Sequence, residues 1–138
     1  MQVDNLLLAD AAQLSDGKLN MLGAGWNVIY SPNPPPIVHR HLALAGTILI
    51  DWNEANEEIP FEVLLENEDG LPVLSEPIRG SVIAGRPPHA PVGQPFMLPL
   101  VIDFENLEFE RAGVYCFRFM SNGEEKKRVS FQVAISPR

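Results

Sequence analysis

The chain has 138 residues, of which 46% are hydrophobic and 20% are charged, and its net charge is −8. This length suggests one domain over residues 1–138 that buries enough surface to fold without staples, and the composition excludes disorder throughout. The acidic balance argues against nucleic acid and membrane as partners, because phosphates and anionic lipids attract basic surfaces.

Alternating residues and turn signals predict strands from the start of the chain. Residues 5–14 form a predicted strand that turns at Asp16-Gly17 into a second strand over residues 18–22. The turn is assigned because a type I′ hairpin needs positive φ at both central residues. Residues 26–30 are predicted to continue this hairpin after a bulge or kink at Gly23-Ala24-Gly25.

The middle of the chain combines a proline-rich loop with long strands. Residues 31–36 are predicted to be a loop, because proline has no amide hydrogen to donate to a sheet. Residues 37–52 are predicted to be a long strand that breaks near Gly46, and residues 60–67 form a cleanly alternating strand. Between them, the acidic residues 51–58 are at most a single helical turn.

Further strands and a second proline-rich loop follow. Residues 68–70 are predicted to turn the chain into a strand over residues 71–75. Residues 81–83 are a weaker strand candidate, and residues 85–95 form the loop. Residues 96–104 are predicted to be a strand in which Pro99 indicates either a sheet edge or a bulge, because proline cannot donate to a ladder. Residues 105–112 are then expected to cross over to the last hairpin.

The closing hairpin determines the fold class. Residues 112–121 and 128–135 alternate on either side of Asn122-Gly123. A strict two-residue turn would place Phe117 opposite Arg128, so we expect a three-residue loop that shifts the register. The shifted register buries four side chains together, Tyr115, Phe117, Val129 and Phe131, while Arg118 and Gln132 face away.

Many short strands joined by turns predict an all-β fold, an antiparallel β-sandwich of about seven to nine strands. Gly113-Val114-Tyr115 at a strand start resembles the corner of immunoglobulin-like domains, in which a tyrosine hydroxyl bonds to upstream backbone. Cys116 departs from that family, whose cysteine falls two residues after the tyrosine. The resemblance therefore implies an immunoglobulin-like architecture rather than an antibody domain.

A second resemblance covers most of the chain. Residues 8–13, 16–19 and 22–26, Trp52-Asn53-Glu54-Ala55-Asn56 and Gly85-Arg86-Pro87-Pro88, with the terminal Gly-x-Tyr strand, are similar to a family of small bacterial proteins of unknown function. The resemblance implies a bacterial origin and a β-sandwich. It implies no activity, because the family has none assigned.

The sequence features indicate a cytoplasmic location. Cys116 is the single cysteine and cannot form an intrachain disulfide, whereas small secreted sandwiches usually carry a pair. The first residues lack the basic and small-residue pattern of a signal peptide. The longest apolar run, residues 42–50, is shorter than the about 20 residues of a spanning helix.

His39-x-His41 is the strongest metal-like pattern. Two residues apart on one strand, both side chains are expected on one face and within reach of one ion. Zinc takes at least three protein ligands, and nothing in the sequence brings His89 or Cys116 to the pair. We therefore expect no metal or cofactor, and keep a metal-binding module or metal-dependent enzyme using His39 and His41 as an alternative.

Three other features have both a functional and a structural interpretation. The acidic residues 51–58 offer oxygen ligands for calcium but lack the spacing of an EF-hand loop. Trp26 or Trp52 could form a sugar-stacking platform, which makes a carbohydrate-binding module the second alternative, although tryptophan more often packs. The proline-rich loops 31–36 and 85–95 could be recognised as extended segments or could be stiff connections.

No catalytic motif accompanies these features. Cys116 has no base placed beside it by sequence, and nucleophile elbows, phosphate loops and dinucleotide fingerprints are absent from the sequence. We therefore expect a protein that is not an enzyme: a binding or scaffolding module in a bacterial cytoplasm, with a protein partner and with self-association as an option.

Overall fold

Strands make up nearly all of the regular structure. A computed structural model describes residues 1–136, and this part contains one 3₁₀ turn at Trp52–Glu54 and nine strands: β1 (Gln2–Ser15), β2 (Lys18–Ala24), β3 (Val28–Ser31), β4 (Ile37–Ile50), β5 (Glu58–Asn67), β6 (Ile78–Ile83), β7 (Phe96–Phe109), β8 (Gly113–Ser121) and β9 (Glu124–Ile135). Within these residues, no helix is long and apolar enough to cross a membrane.

The strands form two sheets that share one hydrophobic core. The first sheet has the order β2-β1-β4-β7 and the second has the order β3-β9-β8-β5-β6. Aromatic side chains connect the sheets, since the ring of Phe104 lies 4.9 Å from that of Phe117, and Phe109 lies 4.7 Å from Tyr115. The all-β prediction is confirmed, and the two packed layers fit a sandwich.

Strand β3 corrects the prediction for residues 26–30. These residues were expected to extend the first hairpin, but Val28–Ser31 instead pairs in parallel with β9 in the other sheet. The chain changes direction where Gly23 and Gly25 have φ values of 59° and 86°. Such left-handed conformations are readily adopted by glycine, so the kink carries the chain from one sheet to the other.

Gly46 marks a close approach of two strands rather than a break. Strand β4 runs without interruption to Ile50, so the predicted break is wrong. Strand β1 is irregular in its pairing between Val3 and Asn5, directly across from this site. A Cβ atom at Gly46 would overlap the carbonyl of Asn5. The glycine therefore lets the bulged backbone of β1 lie against β4.

Two further boundaries differ from the prediction. Residues 71–75 do not form a strand, and Pro72 makes an isolated bridge with Glu66. Strand β7 continues to Phe109, so the crossover expected over residues 105–112 is reduced to a short turn before β8. Pro99 lies on an edge strand, which is one of the two predicted alternatives, because within residues 1–136 β7 pairs with β4 alone.

The closing hairpin has the predicted pairs of core residues, but a bulge and not a longer loop produces them. Its turn has two residues, Asn122 and Gly123, with φ values of 51° and 77°, so the expected three-residue loop is wrong. The register shifts instead by one residue at a bulge in β9, where Lys126 has no partner across from it in β8. As a result, Phe117 pairs with Val129 and Tyr115 with Phe131, which confirms the predicted pairing.

Candidate functional site

His41 joins three strands of the first sheet. Its Nδ1 lies 2.8 Å from the backbone oxygen of Asp10 in β1, and its Nε2 lies 3.1 Å from Oδ1 of Asp103 in β7. A carbonyl and a carboxylate can only accept, so both contacts are hydrogen bonds when each ring nitrogen carries a hydrogen, as in the protonated imidazole. The bond to the Asp10 carbonyl, followed by Asp103, raises the pKa of His41.

His39 occupies a different environment. It pairs across the sheet with Leu107, which belongs to the core, and its ring packs edge-on against Trp26 at 6.2 Å. Within residues 1–136, Nε2 of His39 and Nε1 of Trp26 are both buried without a hydrogen-bond partner. Burial lowers the pKa of His39, because the charged form loses its solvation.

The two histidines do not converge, which corrects the expectation that they share a face. The β4 residues of the hydrophobic core cluster change from an odd position, Ile37, to even positions from Leu42 onward. The partner strand changes at the same level, where Asn106 has a φ of 53°. His39 therefore turns toward the core and His41 toward solvent. No cluster of three or more histidine, cysteine or acidic side chains within residues 1–136 is placed to hold a metal ion.

The hairpin of β1 and β2 presents an apolar edge. Beyond Ala9, β1 leaves β4 and pairs with β2 alone, up to Ser15. A shallow groove of about 490 Å³ lies on this hairpin and is lined by Ala11, Ala12, Gln13, Leu19, Asn20, Met21 and Leu22. Leu22 is 74% exposed and Leu14 is 51% exposed. Both are large apolar side chains exposed on the same short hairpin.

The segments that carry the family resemblance meet at the other end of β4. The guanidinium of Arg86 lies 4.0 Å from the centre of the Trp52 ring, and its Nε and Nη2 donate to the Trp52 carbonyl at 3.3 and 2.9 Å. The amide of Asn56 donates to the carbonyl of Ala84 at 2.7 Å. These contacts hold the two segments together, so they account for the shared motifs structurally.

The acidic residues 51–58 are partly committed to internal contacts. The carboxylate of Glu54 accepts from the ammonium of Met1 at 2.6 Å and from the amide of Asp51 at 2.9 Å. The Met1 side chain is almost fully buried beside this pair. The arrangement ties Met1, which precedes β1, to the turn after β4, and it uses an oxygen that a calcium site would need.

The two tryptophans lie far apart. Trp26 packs against His39 near the start of β4, whereas Trp52 follows the end of that strand. An extended strand rises about 3.3 Å per residue, so nearly the whole length of β4 separates them. The tryptophans do not form a joint platform, and Arg86 covers one face of Trp52.

The proline-rich loops are compact rather than extended. In residues 85–95, Ala90 donates to the carbonyl of Pro87 at 3.0 Å and Gln94 to that of Pro91 at 3.2 Å, which forms two successive turns. In residues 31–36, the hydroxyl of Ser31 donates to the carbonyl of Asn33 at 3.0 Å. Recognition of an extended polyproline helix needs an open backbone, which these turns do not present.

Cys116 is half-buried on the outer face of the second sheet. It lies between Glu66 of β5 and Ser130 of β9. Burial raises the pKa of the Cys116 thiol, and a raised pKa reduces the thiolate that a nucleophile requires.

The sequence analysis missed the acceptors of His41 and the exposed side chains of the β1–β2 hairpin. Asp10 and Asp103 were not singled out, because neither lies near His41 in the chain. Leu14 and Leu22 were treated as strand residues, although apolar side chains on both faces of a short hairpin are a signal of an exposed apolar surface.

Comparison with known proteins identifies a family and no activity. Residues 4–134 match a family described as a family of unknown function, DUF6941. No curated protein matches the chain. The match confirms the expected membership in a family without an assigned function.

Proposed function

The chain belongs to the DUF6941 family of unknown function, and we propose that it is a single-domain, immunoglobulin-like scaffolding module of a bacterial cytoplasm. The module has no catalytic role and associates with a second copy of itself through strand β2. The architecture is supported by the hydroxyl of Tyr115, which donates to the carbonyl of Arg111 at 2.6 Å where the chain passes between the sheets. This bond resembles the corner bond of immunoglobulin-like domains.

The observation that carries the proposal is the unprotected edge of β2. Within residues 1–136 the four sheet edges are β2, β7, β3 and β6. Proteins protect edges with proline, charge or short length: β7 contains Pro99 and acidic residues, β3 has 4 residues, and β6 contains Arg79, paired with Glu62. Strand β2 contains no proline, its single charge, Lys18, is its first residue beside the turn, and it exposes Leu22.

Charge favours a second copy as the occupant of this edge. Two chains with a net charge of −8 repel each other, so they meet most easily where neither presents a carboxylate. An antiparallel pairing of β2 with itself, centred on Met21, satisfies the two-fold symmetry of a dimer. This register places Lys18 opposite Ala24 and buries Leu22 against its counterpart's strand. The added ladder supplies backbone hydrogen bonds, as in strand addition.

The test is the concentration dependence of mass in sedimentation velocity. We expect a reversible dimer for the wild type, and a monomer for Leu22→Lys, which places a charge in the middle of the edge. Ile83→Lys is the matched control, because Ile83 is 67% exposed on the edge strand β6 of the other sheet. It should dimerise like the wild type. A wild type that stays monomeric at all concentrations contradicts self-association.

A monomeric wild type would direct the search to another protein. Affinity capture from the native host with the wild type and with Leu22→Lys as baits would then show whether any partner depends on the β2 edge. Partners captured equally by both baits would place the binding surface elsewhere.

A further inference from the structure

We propose that His41 is a pH-dependent clamp, which holds the base of the β1–β2 hairpin against β4 and β7 when protonated and releases one of these contacts when neutral. This inference concerns the order of the hairpin itself. It does not require that β2 bind a second copy, and it goes beyond the scaffolding role proposed above.

Asp10 is the base of the hairpin. Strand β1 pairs with β4 as far as Ala9, and beyond that residue it pairs with β2 alone. The carbonyl of Asp10 accepts from His41, while its carboxylate lies over Gly23 of β2, where a Cβ atom would overlap it. The residue therefore connects the hairpin's two strands to β4 at the point where the main ladder ends.

The chemistry of the two acceptors makes this connection sensitive to one proton. The Asp10 carbonyl and the Asp103 carboxylate each need an N–H from His41. A neutral imidazole has one N–H, so it keeps one of the two bonds and places a lone pair against the other acceptor. The remaining N–H favours the charged Asp103 carboxylate over the neutral Asp10 carbonyl, because hydrogen bonds to an ionised acceptor are stronger. Deprotonation therefore removes the contact with β1 and releases the base of the hairpin.

The charged groups around His41 determine the direction of the change. Strand β1 contributes Asp10, and β7 contributes Asp103 and Glu105, all of which favour the protonated ring. On β4 itself, His39 and Arg40 flank it, and the single charge of β2, Lys18, lies at the hairpin turn. The pKa of His41 is therefore above its ordinary value of 6.5, and the clamp is closed below this pKa and open above it.

Amide hydrogen exchange by NMR tests the clamp, with the pKa of His41 followed through its ring signals. The Leu22→Lys background excludes any contribution from dimerisation. We expect protection factors of hairpin amides, corrected for intrinsic exchange, to fall about threefold to tenfold as pH rises through the His41 titration. Amides of β8 and β9 should show no such transition. Hairpin protection that stays constant through the titration overturns the proposal.

Asp103→Asn is the decisive variant. The introduced amide can donate to Nε2, so a neutral His41 keeps both contacts by donating from Nδ1 to Asp10 and accepting at Nε2. We expect the hairpin to remain protected on both sides of the titration. Glu105→Gln removes a nearby charge without changing an acceptor of His41, so it should retain the transition at a lower pH. An unchanged transition in Asp103→Asn would contradict the mechanism even if the wild type showed one.

Discussion

Two single-residue deletions in β9 test what the bulge at Lys126 does. Because Lys126 has no partner across from it in β8, its deletion leaves Phe119 opposite Lys127 and Phe117 opposite Val129, as in the wild type. Deletion of Ser130, four residues further along the same strand, shifts every following residue by one. A shift by one position exchanges the two faces of a strand.

The structure gives the size of the difference. Deleting Lys126 removes an ion pair with Glu124, whose side chain is 73% exposed, and such pairs are worth about 0–1 kcal/mol. The Lys126 side chain is itself only 15% exposed, so the deletion also removes the packing of its apolar stem, which adds about 1 kcal/mol. Deleting Ser130 turns Phe131 and Val133 outward from positions that are 2% and 0% exposed. At about 1.5–3 kcal/mol for each side chain, the loss is roughly 3–6 kcal/mol.

The strand has one way to reduce the loss caused by deleting Ser130. Lys126 can enter the ladder so that the bulge disappears, which returns Phe131 to its buried position. The same change turns Val129 outward and places Arg128 against Phe117. Losing one half-buried valine and desolvating a guanidinium still costs at least about 2 kcal/mol. The domain's total stability is about 5–15 kcal/mol, so this deletion is expected to be severe by either route.

Urea unfolding followed by circular dichroism measures both variants. We expect the Lys126 deletion to lose about 1–2 kcal/mol relative to the wild type and the Ser130 deletion to lose at least about 1 kcal/mol more than that. Near-ultraviolet spectra should show unchanged aromatic packing in the Lys126 deletion. Equal losses in the two variants would refute the conclusion that Lys126 corrects the register.

Three further predictions concern single side chains. Tyr115→Phe removes the hydroxyl bond to Arg111 and should cost about 0.5–1.5 kcal/mol in urea unfolding; no loss would mean that the corner bond is not needed. Burial lowers the pKa of His39, so stability should fall as pH drops below 6.5, whereas the raised pKa of His41 should make stability fall as pH rises above 6.5. In thermal unfolding across pH, His39→Leu should flatten the acid side alone and His41→Gln the alkaline side alone; one variant that flattened both would contradict this assignment. Cys116→Ser should leave dimerisation in sedimentation velocity within a few-fold, because the thiol is half-buried and less readily ionised; loss of the dimer with an intact fold would give Cys116 a role.

Local signals predicted the parts of the fold that depend on neighbouring residues. The turn at Asp16-Gly17 has both residues at positive φ, as its dipeptide indicated. The corner bond joins Tyr115 to Arg111, only four residues away. In both cases the physical cause lies within a few residues, so a single sequence contains the information that is needed.

The closing hairpin shows what the alternation pattern does not determine. Burial of the aromatic side chains required the register of β8 and β9 to shift by one residue from that of a regular two-residue turn, and this shift is present. A longer loop and a bulge both supply the shift, and the alternation pattern does not distinguish them. The structure uses a type I′ turn at Asn122-Gly123, which suits the right-handed twist of the strands, and places the extra residue at Lys126.

The parallel position of β3 could not be predicted, because it depends on a strand about a hundred residues away. Strand β3 has 4 residues and pairs with the last strand of the chain. Residues 26–30 have the same alternating pattern that a continued hairpin would have. Periodicity identifies a strand but not its partner. The sequence therefore does not distinguish a change of sheet at Gly23 and Gly25 from a kink within one hairpin.

The prediction that His39 and His41 share a face was wrong for a related reason. The shared face of His39 and His41 followed from uniform alternation along one strand. The faces exchange in β4 and β7 at the same level, and Asn106 adopts the left-handed conformation there. Asparagine tolerates that conformation more readily than most residues, but the sequence does not show that residue 106 lies across from residue 40.

The chemistry of His41 depends on acceptors that only the fold selects. Asp10 and Asp103 lie 31 and 62 residues from His41 along the chain. A hydroxyl or amide in place of either acceptor could donate to a neutral ring, and the connection would then be insensitive to pH. The Asp10 carbonyl and the Asp103 carboxylate can only accept, so His41 binds both only when each of its ring nitrogens carries a hydrogen. The pH sensitivity of the connection therefore depends on the two acceptors that β1 and β7 bring to His41, and not on the histidine alone. The histidine is visible in the sequence, but its acceptors are known only from the fold.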